Sequence, residues 1–193
     1  MPLDLPDGAA CFIDANIFYY HYVETPPFSQ ASTVLLNRVA AGAVTGYASV
    51  HVLAEAIHKI MLAEAAATFG LNRAGLVNWL QRHGIRITEL SEFRCAADEL
   101  LEMGLNLVAI DGNDLQRAAE LSMKLGLLTN DATTLALIRR HSLSHLVTND
   151  SDFDSIPNPK KRYLTPLFLG GVDGLCAICH FYSNFLHYIR LYD

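Results

Sequence analysis

The chain is short of positive charge, short of cysteine, and has no basic-then-apolar opening. With 14 Lys and Arg against 20 Asp and Glu, its net charge is −6, which argues against non-specific nucleic-acid binding through a basic surface. A nuclease is not excluded by this, because bound cations would cancel the charge of an acidic site. Four cysteines in 193 residues make no disulfide scaffold and are expected to stay reduced. The opening MPLDLPDGAACFID contains no signal peptide pattern, so a cytoplasmic location is expected. Also missing are HExxH, GxSxG and a Gly-rich phosphate loop, and with them the sequence marks of zinc proteases, serine hydrolases and P-loop enzymes. Cys176-Ala-Ile-Cys179-His180 has the spacing of covalent haem attachment, but that chemistry needs export and a distal ligand, and the sequence offers neither. Zinc fails too, since Cys11 and Cys95 are isolated. Two small apolar residues on a helix is the better account of Cys176 and Cys179.

What the chain does have is apolar residues, 51% of the total, and a mean hydropathy of +0.22. That excludes disorder and suggests apolar surface reserved for a partner. The length suits one domain with an appendage. Short β-rich runs alternate with helical patterns: Ala9–Ile13 as a first strand, a helix after Asp14, and a second helix capped by Ser29. A strand near Thr45–Ala48 leads to a helix over His51–Leu62 with Ser49 as its cap. Residues 64–104 read as helical with breaks at Gly70 and Gly84, with candidates at Leu71–His83 and Ala96–Met103. Leu105–Ile110 is a third strand, Leu115–Leu125 a helix, and Lys160–Thr165 leads to a last strand. This alternation predicts a three-layer α/β/α domain on a mainly parallel sheet. Leu175–Leu191 is too short and too charged to span a membrane, and its polar stripe from His180 to Arg190 predicts an added C-terminal amphipathic helix. The expected division is a domain over 1–170 and an extension over 171–193.

The most informative stretch is Leu127–Phe153. There a helix expected to start at Asp131, after the capping candidates Thr129 and Asn130, is followed by a strand ending at Asp150 and Asp152. Singly, each acidic residue has a bland explanation. Asp14 could cap the first helix, Glu55 could be a solvated helix residue, and Asp131 could complement a helix dipole. Asp150 and Asp152 could form a turn. Together they are harder to dismiss. In a parallel sheet the ends of the strands before Asp14, before Ser49 and before Asp150 share one edge, where such folds bind ligands. Carboxylates converging there would repel one another strongly, and the arrangement makes sense mainly as a site for a hard divalent cation.

The order of these motifs resembles the PIN-domain nucleases, in particular the VapC-type toxins. FIDANIF at 12–18, ASVHVLAE at 48–55, NDATTLA at 130–136 and LVTNDSDF at 146–153 are similar to the family's four motifs and follow in the same order. The resemblance implies a metal-dependent endoribonuclease, with Asp14, Glu55, Asp131 and Asp150 as the catalytic, metal-binding quartet and Asp152 as an additional ligand. It implies Asn16 and Thr148 in supporting roles, Mg²⁺ or Mn²⁺ as cofactor, RNA as substrate, an antitoxin as partner and a homodimer. Segment 64–104 and the 171–193 tail are additions relative to compact members. Arg38, Lys59, Arg139, Arg140 and Lys160–Arg162 are the candidates for holding RNA, each with a solvated surface role as its plain alternative. The rival expectation is a non-catalytic PIN-fold module that binds protein or RNA.

Overall fold

In the computed structural model, which describes residues 5–154, Ile156 and the backbone of 160–162, five parallel strands form one sheet. They are β1 (Ala10–Ile13), β2 (Thr45–Ser49), β3 (Asn106–Val108), β4 (His145–Val147) and β5 (Lys160–Arg162), in the spatial order β3-β2-β1-β4-β5. The central strand β1 is a continuous apolar run, as burial on both faces requires; Cys11, Phe12 and Ile13 have no exposed surface. Register places Ile13 beside Val147, Phe12 beside Tyr47, and Ser49 beside Val108. The C-terminal ends of β1, β2 and β4 therefore lie along one edge.

Among the described residues seven α-helices surround the sheet: α1 (Ala15–Tyr22), α2 (Ser29–Ala40), α3 (Val50–Phe69), α4 (Leu76–Arg82), α5 (Glu92–Glu102), α6 (Gly112–Leu125) and α7 (Thr129–Arg140). α1 packs on α2 and α3, α5 packs on α3, and α6 packs on α7. Gly46 in β2 is required by this packing. A Cβ there would come within 2.9 Å of Val39 and 3.0 Å of Ile13 and Leu105. No helix among the described residues is long and apolar enough to cross a membrane. The expected helix within 171–193 and Cys176/Cys179 lie outside the described residues.

Several helix limits differ from the sequence expectation, and each for a local reason. Ser49 does cap α3, accepting from Val52 N–H at 3.2 Å, but the helix runs on to Phe69 because AEAAA is strongly helix-forming. It ends at Gly70, whose φ of +62° suits the left-handed stop. Ser29 is the first residue of α2 and accepts from Thr25 N–H at 2.6 Å. α4 is shorter than expected because Gly75, at φ +80°, places the start at Leu76. α5 begins earlier, at Glu92, because a carboxylate from another helix caps it: Glu64 on α3 accepts from the N–H groups of Ser91, Glu92 and Phe93 at 2.7, 2.9 and 3.0 Å. α7 begins at Thr129 with no side-chain cap, so Thr129 and Asn130 do not play the expected role.

Candidate active site

The chain after β1 turns at Asp14, which stays in extended conformation and caps α1 with its own side chain. Its Oδ1 accepts from Ala15 N–H at 2.7 Å, and its Oδ2 accepts from the Thr148 hydroxyl at 2.7 Å. Thr148 follows β4 and is fully buried. Its oxygen also accepts from Asp150 N–H at 3.0 Å and from the Asn16 amide at 3.4 Å. Asn16 in turn accepts from Asn149 N–H at 3.4 Å. Two strand ends, 134 residues apart in sequence, are thereby tied to one hydroxyl. Asp150 accepts from Asp152 N–H at 2.9 Å, opening a 3-10 turn over Ser151–Phe153. Phe153 is buried in the main core and anchors that turn.

Glu55 stands in the second turn of α3 and pairs with Lys59 at 2.7 Å. Asp131 is the third residue of α7. A first-turn carboxylate is normally favoured by the helix dipole, yet the Asp131 carboxyl is pushed up to about 6. Burial is the largest cause, followed by the negative charges of Asp150, Asp14, Asp152 and Glu55. Asp14 is also raised: burial outweighs the hydrogen bonds from Thr148 and Ala15 that lower it, Glu55 raises it further, and Lys59 opposes the rise. These shifts have one physical meaning: the five carboxylates singled out in the sequence share one electrostatic neighbourhood.

The donors are all oxygens and the field is negative, which suits a hard divalent cation by chemistry. They are not gathered tightly: among the described residues no three His, Cys, Asp or Glu side chains form a ligand set for a metal ion. Two of the basic candidates are occupied elsewhere. Arg38 pairs with Asp7 at 2.8 Å. Arg140 pairs with the buried Asp114 and with Asp111, and donates to Ala109 O at 2.5 Å. Arg139 is exposed, and residues 160–162 are placed by backbone alone. One participant was not anticipated: Asn149 reaches both Asn16 and the Tyr20 hydroxyl. Lys59, a candidate for holding RNA, pairs with Glu55, a contact that their i,i+4 spacing on a helix permits.

The PIN-domain family model matches residues 11–159. The chain belongs to the PIN-domain family. The PIN fold is shared with solved structures at low sequence identity. One is the Mycobacterium tuberculosis VapC20 toxin, described as cleaving the sarcin-ricin loop, at 15% identity and TM-score 0.52, covering 79% of this chain and 98% of the toxin. Another is VapBC2 from Rickettsia felis, bound to a DNA fragment from its promoter, at 18% identity and TM-score 0.51, covering 80% of this chain and 98% of that one. No curated protein matches the sequence. In this PIN domain the four stretches that resembled the family's motifs meet at the C-terminal edge of the sheet.

Proposed function

We propose that this PIN-domain protein is a Mg²⁺- or Mn²⁺-dependent endoribonuclease that hydrolyses RNA phosphodiesters. The observation that carries it is the junction at the C-terminal sheet edge, where the Thr148 hydroxyl donates to Asp14 and accepts from Asp150 N–H. The Asp131 carboxyl, raised by burial and then by the charges of Asp150, Asp14, Asp152 and Glu55, supports it. Asp14, Glu55, Asp131 and Asp150 would hold the cation, with Asp152 adding an oxygen from the loop. Once bound, a divalent cation supplies charge neutralisation and activates water for in-line attack at phosphorus. The chain's own residues do the positioning. Thr148 and Ala15 N–H fix both oxygens of Asp14, Asn16 ties the β4 loop to α1, and Phe153 pins the turn that presents Asp150 and Asp152. Lys59 pairs with Glu55 at 2.7 Å and would share that carboxylate with a bound cation.

The toxin role draws support from the VapC20 and VapBC2 folds. On this reading a small antitoxin, encoded immediately upstream, blocks the site, and the active species is a cytoplasmic homodimer. The test is cleavage of mixed RNAs with Mn²⁺, with EDTA and Asp14→Asn as controls. Cleavage that EDTA and Asp14→Asn each abolish is expected. RNA left intact by the metal-loaded protein would favour the non-catalytic binding module instead.

A further inference from the structure

We propose that the cavity bounded by α1, α3 and the turn entering α4 is a nucleotide subsite, seating the residue of single-stranded RNA adjacent to the scissile phosphate with Arg73 and Lys59 as its cationic wall. This rests on the endoribonuclease reading above. The cavity has a volume of about 650 Å³ and is lined by Asn16, Tyr19, Tyr20, Lys59, Arg73 and Leu76, among others. That lies inside the roughly 300–1,000 Å³ range of small-ligand sites.

Its position follows from two shared side chains. Asn16 lines the cavity and also reaches Thr148, which holds Asp14. Lys59 lines it too and pairs with Glu55. A strand whose phosphate lies among the carboxylates therefore continues directly into the cavity. The lining chemistry matches a nucleotide. Half-buried Tyr20, one face stacked on Phe28, offers aromatic surface, and stacking on such surface tolerates any base. Buried Tyr19 contributes its hydroxyl as the anchor for Arg73. Tyr20 is held by a hydrogen bond from Asn149 at 3.4 Å, which links it to the loop after β4.

Arg73 supplies the charge. Its guanidinium donates to the Tyr19 hydroxyl at 2.5 Å and lies 5.8 Å from that ring's centroid. Unlike Arg38 and Arg140, it has no carboxylate partner among the described residues. Its remaining N–H donors are left for a phosphate oxygen. Exposed Glu24 also lines the cavity and provides an acceptor for the amino or imino edge of a base.

The test uses a fluorescein-labelled, mixed-sequence RNA 10-mer with wild type, Arg73→Ala and Arg73→Lys, all full length. By anisotropy in EDTA, Arg73→Ala is expected to weaken binding about tenfold. It should also make the plot of log affinity against log salt shallower by about 0.7, the share of one lost phosphate contact on a single strand. Arg73→Lys should restore the slope but not the full affinity, because ammonium lacks the planar fork that rests on Tyr19. With Mn²⁺, Arg73→Ala should raise KM about tenfold and leave kcat within twofold. Unchanged affinity and salt slope in Arg73→Ala would overturn the subsite, as would a loss confined to kcat. Cleavage that ignores Arg73 keeps the nuclease and removes the subsite. Binding that needs Arg73, in a protein that cleaves nothing, does the reverse.

Discussion

Thr148 carries more of the site than any carboxylate does, because one hydroxyl serves Asp14, Asp150 and Asn16 at once. Thr148→Val keeps the shape and deletes the oxygen. It leaves one Asp14 oxygen and the Asp150 N–H without partners; both residues are half-buried, so each loss costs about 1 kcal/mol, the low end for an unpaired group. Cleavage is expected to fall roughly 10- to 100-fold through misplacement of Asp14, whereas Thr148→Ser should stay near wild type; equal rates for Val and Ser would refute the positioning role. His21 gives a second prediction, one of pH. It is buried at 8% exposure, and burial holds its pKa down to about 4. The unfolded chain binds that proton near 6.5 and the folded chain does not, so stability falls as pH drops from about 6.5 to 4, by as much as about 3 kcal/mol. Urea midpoints across this window should drop more in wild type than in His21→Gln; parallel curves would show that folding does not depress the His21 pKa. The sequence singled out all five carboxylates: Asp14, Asp150 and Asp152 follow strands, Asp131 lies in the first turn of a helix, and Glu55 in the second turn of α3. The Thr148–Asp14 bond was not legible, since nothing local reports which strands neighbour each other.

Among the elements, α5 is the one whose position the sequence left least defined. Its start depends on Glu64, a residue 27 to 29 positions earlier on α3. The three N–H groups that Glu64 receives belong to the unpaired set at every helix N-terminus, normally met by a local cap. Ser91 precedes the helix yet makes no side-chain cap bond, so the distant carboxylate does that work. Glu64→Ala is expected to destabilise the fold by about 2–4 kcal/mol, as a buried charge-assisted set of this kind would, and to speed amide exchange in 92–102. Glu64→Gln keeps an acceptor and should lose less; an Ala variant as stable as wild type would mean that solvent caps α5 equally well. The sheet was easier to foresee. AACFI, LNLVAI and the Val147 run are short, apolar and bounded by turn formers, and parallel pairing follows from the helices between them. Helix ends were misjudged where a partner from elsewhere sets them, as at Glu92, or where a left-handed glycine does, as at Gly75. Leu71–His83 shows the same limit: its apolar spacing is helical, but the backbone at Gly75 is not.

For the molecule as a whole, the proposed cation site implies that the acidic edge exchanges stability for cation affinity. Asp131 has its carboxyl raised to about 6 against an unfolded value near 4. The folded state therefore binds this proton more tightly than the unfolded chain. Its contribution favours folding below about pH 4 and is lost as pH rises through 6, above which the ionised group opposes folding. Asp131→Asn should thus raise the melting temperature of the metal-free protein at pH 8, while it abolishes cleavage. A cation that binds only the folded state reverses the balance. At a concentration ten times its Kd it adds about 1.4 kcal/mol, or roughly 3–6 °C in a chain of this size. Thermal melts at pH 8 with EDTA and then with a Mn²⁺ series should show wild type rising and Asp131→Asn flat, the two curves crossing as Mn²⁺ increases. A variant less stable than wild type in EDTA would mean that the helix dipole, rather than repulsion among the carboxylates, governs Asp131. A Mn²⁺ response of equal size in both proteins would place the cation outside the edge where β1, β2 and β4 end, and with it the chemistry proposed there.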